Sequence, residues 1–238
     1  SLGPSYYQNA LSRLRKTNCT VLGGPDRAAL DANLFQKTFE LILCHKFVMG
    51  ETNKRHFKEE NIIKMATEYD LTLCNLWVRR KLFNDKKFHF NETYKRCEEN
   101  AFLKRAKQEG IQFLYDSNLY VYHQRREEWW KLFKIHFLSG FYRGLLSVED
   151  LLQFRGMFVI PFLAGAFLLM GILSSWKFLV FGFIVHTIPT GIISLKNFYE
   201  MQSWKSVYYT FKIIWCIHVG FSLGIVFGFG KGLINNEK

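Results

Sequence analysis

Acidic residues are nearly missing from the last third of the sequence. Residues 156–238 contain two acidic residues (Asp or Glu) and six basic residues (Lys or Arg). Residues 1–155 contain 18 acidic and 26 basic residues. Charge of either sign is therefore concentrated in the first two thirds. The chain divides into a charged part and an apolar part.

Cysteine pairs with C-x-x-C spacing are also missing. The chain has five cysteines, an odd number, which does not suggest a disulfide framework, and their spacing does not indicate a zinc site. We interpret them as buried reduced thiols. The net charge of +12 could indicate nucleic-acid binding. However, no basic stripe is interleaved with aromatic residues, so we predict no nucleic-acid partner.

Three long apolar runs occupy the last third of the chain. They are Met157–Trp176, Phe178–Leu195 and Ile213–Phe229. Each approaches the roughly 20 residues that an α-helix needs to cross a bilayer core of about 30 Å. None alternates apolar and polar faces as the helix of a soluble core would. We therefore predict about three transmembrane helices within residues 156–238.

The positions of the cations predict the orientation of these helices. Only Lys177 lies in the link between the first two runs, whereas several cations flank the other ends, namely Arg143, Arg155, Lys196, Lys205 and Lys212. Loops rich in Lys and Arg usually stay in the cytoplasm. We therefore expect a multi-pass protein of the cell inner membrane, with its charged part cytoplasmic and attracted to anionic membrane lipids.

A helix is predicted in the linker between the two parts, residues 127–155. Large apolar residues recur there at helical spacing, at Trp130, Phe133, Phe137, Phe141 and Leu145. Paired tryptophans and nearby lysines are typical of a helix that lies in the membrane surface, and we favour an interfacial helix. The alternative is an ordinary helix docked against the soluble domain.

Residues 1–126 have the mixed pattern of an α/β domain. The helix after Pro4 should place Tyr6, Tyr7, Ala10, Leu11 and Leu14 on one face. Further elements follow from periodicity and turn residues. They are a strand at Val21–Leu22, a turn over residues 23–26, a helix over residues 28–49, a polar loop over residues 50–60, a strand from Leu71, a helix at Glu98–Glu109 closed by Gly110, and strands at Ile111–Tyr115 and Leu119–Tyr122.

Several short motifs follow one another in residues 1–126. They are Gly23-Gly24-Pro25-Asp26, then Asn75 with Arg79-Arg80, then Cys97-Glu98-Glu99-Asn100 with Arg105, Gly110 and Tyr115, then Val121-Tyr122-His123 with Arg125-Arg126. In this order they resemble the second half of inverting family-two glycosyltransferases of the GT-A fold. The run CIHVGFSLGIVFGFGKG is similar to the end of membrane-anchored members. The resemblance implies a partial GT-A domain, its acceptor-side half, followed by the interfacial and transmembrane helices.

The resemblance also implies roles for these residues. Glu99 matches the catalytic aspartate of the family and would act as the base, with Glu98 as a second candidate. His123 matches a position that contacts the metal or the diphosphate, and Arg125 and Arg126 would assist it. The remaining motif residues would line the acceptor side: Asn75, Arg79, Arg80, Gly23, Gly24 and Asp26. From spacing alone, the acid pair has a plainer explanation, since carboxylates at a helix start interact favourably with the helix dipole.

The metal-binding Asp-x-Asp motif of the family does not occur in the sequence. We therefore expect the donor-binding N-terminal half to be missing or to be supplied by another chain. The cofactor would be Mg²⁺ or Mn²⁺, held mainly by that half, and the substrates a nucleotide sugar and a lipid-linked saccharide acceptor. A non-catalytic membrane subunit that keeps the fold as a docking platform is the alternative. A basic membrane-surface protein without an enzyme partner would leave the ordered motifs unexplained.

Overall fold

The computed structural model describes residues 2, 5–56, 61–90, 96, 98–149 and 170–236. These residues form two compact units. The first, here called the α/β unit, comprises residues 1–33 and 43–125. The second, the helical unit, comprises residues 34–42 and 126–238.

Two small sheets organise the α/β unit. Four strands form a mixed sheet in the order β3 (Ile63–Met65), β5 (Phe113–Asp116), β1 (Val21–Gly23) and β4 (Leu76–Val78). The central strands β1 and β5 are parallel, and both outer strands pair antiparallel to them. The second sheet has two parallel strands, β2 (Asp26–Ala28) and β6 (Val121–His123).

The two faces of the four-stranded sheet bury separate apolar clusters. Successive side chains of a strand point to opposite faces, so Val21 and Phe113 lie in one cluster while Leu22 and Leu114 lie in the other. Burial on both faces explains why these short strands contain almost only apolar residues. The first cluster includes Phe102 and Leu103, and the second includes Tyr6 and Ala10.

Four α-helices begin within the first 126 residues, among the described positions. They are α1 (Tyr6–Lys16), α2 (Leu34–Leu43), α3 (Lys46–Met49) and α4 (Glu98–Gln108). Short 3-10 segments cover Gly50–His56, Leu73–Asn75, Arg80–Asn84 and Lys86–Phe88. The helix predicted after Pro4 and the helix predicted to begin at Glu98 are both confirmed. Gly110 follows α4 with φ of 74°, a left-handed conformation that glycine adopts without a Cβ penalty.

Other sequence-based predictions for the first 126 residues are wrong in detail. The helix predicted over residues 28–49 is interrupted, because Ala28 pairs with His123 in the two-stranded sheet and His45 has an extended backbone. The loop predicted over residues 50–60 contains a 3-10 segment, and the sequence did not predict β3. On α1, Tyr7 and Leu11 are exposed instead of packed.

Three long helices form most of the helical unit: α5 (Trp129–Glu149), α6 (Trp176–Met201) and α7 (Trp204–Asn236). By length and composition, α6 and α7 could each cross a membrane. They contain the apolar runs Phe178–Leu195 and Ile213–Phe229. The run Met157–Trp176 lies largely outside the described residues.

Helices α5 and α7 run in the same direction and touch through their backbones. A Cβ placed on Gly224 would lie 2.1 Å from the Phe137 carbonyl oxygen, and one on Gly228 would lie 2.0 Å from that of Phe141. The reciprocal contact at Gly140 is 2.2 Å, from its Cβ position to the Phe221 oxygen. Only glycine permits this approach, which is typical of closely packed membrane helices.

Helices α6 and α7 form an antiparallel hairpin held by polar side chains. Near its turn, the Asn197 amide donates to the Thr210 hydroxyl at 3.0 Å. Further along, His186 Nε2 and His218 Nδ1 form a hydrogen bond of 2.8 Å. The two helices are antiparallel, because the residue number decreases from 197 to 186 on α6 while that of its partner increases from 210 to 218 on α7.

Candidate functional site

A buried carboxylate, Asp26, is the centre of the largest group of predicted site residues. It is 3% exposed, and its partner Arg125 is 6% exposed. The Arg125 guanidinium donates to both carboxylate oxygens, at 2.9 Å to Oδ1 and 3.0 Å to Oδ2. His56 Nδ1 makes a short hydrogen bond to the same carboxylate. A two-pronged arginine contact of this kind fixes both the position and the orientation of the carboxylate.

The surroundings of Asp26 keep it ionised. Burial alone disfavours its charged form, but the charges and hydrogen bonds of His56 and Arg125 outweigh burial and hold its pKa well below the usual range. An ionised, enclosed carboxylate bound to two basic side chains is a rigid arrangement. It is therefore suited to holding neighbouring groups in place.

The backbone around Asp26 is positioned by Asn75, which is itself buried. Its amide nitrogen donates to the carbonyl oxygens of Pro25 at 3.1 Å and Leu119 at 2.6 Å. Its carbonyl oxygen accepts a hydrogen bond from the Tyr6 hydroxyl. Asn75 thus joins the turn before β2 to the residues before β6. With both ends of its side chain engaged, Asn75 is a structural residue in this geometry rather than an acceptor ligand.

The two glycines before Asp26 lie so close to neighbouring backbone atoms that no side chain fits there. A Cβ on Gly24 would lie 2.0 Å from the Leu119 carbonyl oxygen, and one on Gly23 would lie 2.6 Å from that of Asn75. Neither distance is compatible with a side chain. Gly23 therefore allows the Asn75 backbone to approach β1, and Gly24 allows the Leu119 backbone to do so, and the acceptor-binding role predicted for them is not supported by these contacts.

His123 lies beside Asp26, as the strand register requires. Its strand partner is Ala28, and because side chains two residues apart share a face, His123 and Asp26 lie on the same face of the two-stranded sheet. His123 Nδ1 is 3.7 Å from Asp26 Oδ2, and the imidazole is 45% exposed. His123 can therefore reach a ligand in solvent while it contacts the buried pair.

The exposed Cys74 completes a group of three possible metal-binding side chains. One donor atom each from Asp26, Cys74 and His123 lie within 4.8 Å of one another. Desolvation around the sulfur and the Asp26 charge raise the pKa of the Cys74 thiol to about 11, so it is protonated at neutral pH. The thiol donates to Asp26 Oδ2 at 3.6 Å.

This donor set does not fit Mg²⁺ or Mn²⁺. Both ions favour several oxygen ligands, whereas the group offers one carboxylate, one thiol and one imidazole. The carboxylate is already paired with Arg125, whose guanidinium also lies 3.4 Å from His123 Nδ1. A cation would have to bind next to that positive charge. The described residues consequently do not form a magnesium or manganese site by themselves.

The acid pair lies at the first turn of α4, where its charge complements the helix dipole. Glu99 Oε1 accepts a hydrogen bond of 2.9 Å from the Asn100 amide. Within the described part of the chain, the buried Oε2 of Glu98 has no hydrogen-bond partner. Both side chains are half-buried.

Arg55 and His56 link the acid pair to Asp26. Arg55 donates 2.7 Å hydrogen bonds to the Asn100 side-chain oxygen and to the Glu68 carbonyl oxygen. Its neighbour His56 binds Asp26. Consecutive Cα atoms are only about 3.8 Å apart, so one short 3-10 segment carries partners of both groups.

Arg79 makes its hydrogen bonds elsewhere in the α/β unit. Arg79 Nε donates to the Cys19 carbonyl oxygen at 2.7 Å and its Nη2 to that of Leu14 at 2.6 Å, so it closes the end of α1. Arg80 begins a 3-10 segment and is exposed. Arg126 is exposed at the start of the helical unit. The acceptor-side role predicted for Arg79 conflicts with its engaged side chain.

Sequence reasoning missed two members of the site. His56 lies in a stretch with no periodicity, 30 residues from Asp26, and nothing local indicates the contact. Cys74 directly precedes Asn75, which the motif pattern did identify. A search for polar residues beside motif positions could have found Cys74.

No protein-family model, curated protein or solved structure matches this chain.

Proposed function

We propose that this chain is the acceptor-side, catalytic-base half of a membrane-bound glycosyltransferase that moves a sugar from a nucleotide donor to a lipid-linked saccharide. The convergence of Asp26, His123 and Arg125 supports this function. These residues belong to motifs that are far apart in the sequence. Asp26 and Arg125 are separated by 99 positions, yet their side chains are in contact. The link through Arg55 and His56 extends the group towards Glu98 and Glu99.

In the proposed reaction, Glu99 accepts the proton of the acceptor hydroxyl as that oxygen attacks the anomeric carbon. The bond from this carbon to the diphosphate breaks with inversion, and its electron pair leaves with the nucleoside diphosphate. A carboxylate within hydrogen-bond reach of the hydroxyl contributes roughly 10²- to 10⁴-fold to such a step. Glu98, whose buried Oε2 lacks a partner among the described residues, is the alternative base.

His123 is the group we assign to the leaving diphosphate. Its imidazole is 45% exposed and can contact a ligand. Arg125 instead orients Asp26, because both prongs of its guanidinium already bind that carboxylate. The donor-binding residues and the main ligands of a divalent metal would come from the missing N-terminal half.

A docking platform without catalysis is the second candidate. The engagement of Asn75, Arg79 and Arg125 in internal hydrogen bonds favours it, since these side chains serve the fold. In that case the unit would assemble with an enzyme without contributing to the chemistry. The membrane helices would serve as its anchor.

Replacing Glu99 by Gln separates the two candidates. We expect Glu99→Gln to lower sugar transfer by about 10²-fold or more in membranes that also contain the donor-binding half. Assembly with that half should be unchanged. Glu109→Gln is a matched control, because Glu109 directly follows α4, is about half exposed and binds Lys87 at the surface. Full transfer activity in Glu99→Gln and in Glu98→Gln would favour the docking platform.

A further inference from the structure

The two-stranded sheet has a second face, opposite to the one that carries Asp26 and His123. Arg27 directly follows Asp26 on β2, and successive side chains of a strand point to opposite faces. The strand partner of Arg27 is Tyr122. Tyr120 lies directly before β6 and contacts both of these side chains. We call this surface of Arg27, Tyr120 and Tyr122 the tyrosine face.

An aromatic ring holds the Arg27 guanidinium in place. Its Cζ atom lies 3.8 Å from the centroid of the Tyr120 ring, close to the van der Waals contact distance of stacked planar groups. The rings of Tyr120 and Tyr122 meet edge to face, with their centroids 5.6 Å apart. A tyrosine has only two side-chain dihedral angles, so this contact restricts both rings at low entropic cost. The guanidinium is therefore oriented before any ligand binds.

The N–H groups of Arg27 are not used within the fold. Its Nε is buried and has no hydrogen-bond partner among the described residues. Its two terminal nitrogens form no ion pair or hydrogen bond with those residues either, and they are accessible to solvent. An arginine on a sheet surface can usually extend into water and hydrate all five N–H groups. A buried N–H without a partner is uncommon in folded proteins, so the position of this guanidinium indicates a role beyond the fold.

Other arginines of the α/β unit behave differently. The guanidinium groups of Arg13, Arg55, Arg79 and Arg125 each donate to a carboxylate, an amide oxygen or a backbone carbonyl of the same unit. These four side chains are accounted for by the contacts they make inside the fold. Arg27 has only the aromatic contact, and its terminal nitrogens can therefore bind an external anion.

We propose that Arg27 and Tyr122 bind a phosphate group, as a monoester or a diester, on the tyrosine face. The terminal nitrogens of a guanidinium form a planar fork that fits two oxygens of a phosphate. The Tyr122 hydroxyl donates to a third oxygen, which a phosphate has and a carboxylate lacks. Because the fork is already oriented by Tyr120, little conformational freedom is lost when the phosphate binds.

The Tyr122 hydroxyl has the protonation state that this role needs. Desolvation, followed by the adjacent Tyr120 hydroxyl, raises the pKa of Tyr122 above its ordinary value. The hydroxyl is therefore protonated at neutral pH and can donate a hydrogen bond.

The phosphate site is separate from the candidate active site, because Arg27 and Asp26 point to opposite faces of the sheet. The inference therefore does not depend on the proposed enzymatic role. A phospholipid headgroup and a soluble phosphate ester present the same oxygens to the tyrosine face. Different probes separate these two sources.

NMR spectroscopy of the full chain in a maltoside detergent tests the site through the Arg27 Nε–H signal. Arg27→Lys identifies this signal by its disappearance. Inorganic phosphate, glycerol 3-phosphate and acetate are the probes. We expect a saturable shift with both phosphates and little shift with acetate. No shift with either phosphate, or an equal shift with acetate, would overturn the phosphate site.

Lipid nanodiscs then identify the source of the phosphate. The same signal is compared in phosphatidylcholine alone and in phosphatidylcholine with added phosphatidic acid. A further shift with phosphatidic acid would support a lipid headgroup as the ligand. A shift with the soluble phosphates only would support a soluble phosphate ester.

Substitutions on the tyrosine face give an independent readout. Arg27→Ala should weaken the binding of glycerol 3-phosphate by about 10-fold or more, because its charge-assisted hydrogen bonds are lost. Arg80→Ala is the matched control, since it removes the same charge from an exposed arginine of the same unit. Calorimetric titration compares the two. Equal losses of affinity would indicate general electrostatic attraction and would overturn the site.

A second pair of variants tests the stacking contact. Tyr120→Phe keeps the ring under the Arg27 guanidinium and should bind glycerol 3-phosphate as the wild type does. Tyr120→Leu removes the ring and should weaken binding, because the fork is no longer oriented. Equal affinity in these two variants would contradict the role of the ring.

Discussion

Asp26 is the centre of a buried ion pair in the α/β unit. Its carboxylate is enclosed and makes hydrogen bonds to Arg125 and His56. Removing one partner of a buried ion pair leaves an uncompensated charge, which costs more than the pair itself contributes. Substitutions at Asp26 should consequently affect the stability of the whole unit, and not only the local geometry.

We expect Asp26→Asn to lower the free energy of unfolding by about 3–5 kcal/mol, because the Arg125 guanidinium stays buried without its counter-charge. Thermal unfolding of the full chain in detergent micelles measures this change. Asp85→Asn, at an exposed carboxylate, is the control and should change little. An Asp26→Asn protein as stable as the wild type would show that the ion pair does not stabilise the fold.

The stability difference between these two proteins should also depend on pH. The pKa of Asp26 in the folded chain is lowered, although burial opposes ionisation, because His56 and Arg125 favour the charged form. A lowered pKa contributes stability above the unfolded value of about 3.9, and this contribution is lost as the pH falls below that value. The difference between wild type and Asp26→Asn should therefore be constant near neutrality and shrink below about pH 4. Denaturant titrations at several pH values would reveal a constant difference if the lowered pKa were incorrect.

At the scale of elements, the glycines of α5 and α7 determine how closely the two helices pack. Gly224 faces the Phe137 backbone, whereas Gly230 on the same helix has no atom within 4 Å of its Cβ position among the described residues. The two positions are six residues apart and differ mainly in this contact. They form a matched pair for measuring what close packing contributes.

Gly224→Ala should destabilise the helical unit by about 1–3 kcal/mol, the usual range for overpacking, since its methyl group would lie 2.1 Å from a carbonyl oxygen. Gly230→Ala should be neutral or slightly stabilising, because alanine has the higher helix propensity. Thermal unfolding in lipid nanodiscs compares the two. Equal effects at both positions would mean that the α5–α7 contact is not close.

Elements with strong local signals could be predicted from the sequence, and elements defined by distant partners could not. Helix α4 has acidic residues at its start and Gly110 at its end, and both signals act locally. Strand β2 escaped prediction because it exists only through pairing with β6, about 95 residues later. Residues 50–60 have a polar sequence that predicts a loop. The contact of His56 with Asp26 could not be predicted because it also depends on a partner that is distant in the sequence.

The candidate site shows a similar limit. The motifs identified Asp26, His123 and Arg125, and the structure brings these three together. The motifs did not reveal that both terminal nitrogens of Arg125 donate to the Asp26 carboxylate, because pairing of this kind depends on strand register. The predicted catalytic role of Glu99 stays a prediction.

At the scale of the whole molecule, the chain should not bind nucleotide sugars strongly by itself. The sequence contains no Asp-x-Asp motif, and the one group of metal-binding side chains among the described residues is not suited to Mg²⁺ or Mn²⁺. Calorimetric titration of the purified chain with UDP- and GDP-sugars plus Mn²⁺ should give little or no heat of binding. Tight binding to this chain alone would refute the proposal that another half supplies the donor site.

The separation of Asp26 from Arg125 also has a consequence for biosynthesis. The two residues are 99 positions apart in the chain. At roughly 5–20 residues per second, the ribosome makes Arg125 about 5–20 s after Asp26. Throughout that interval the nascent carboxylate lacks its guanidinium, so the α/β unit cannot complete its folding until synthesis has almost reached α5.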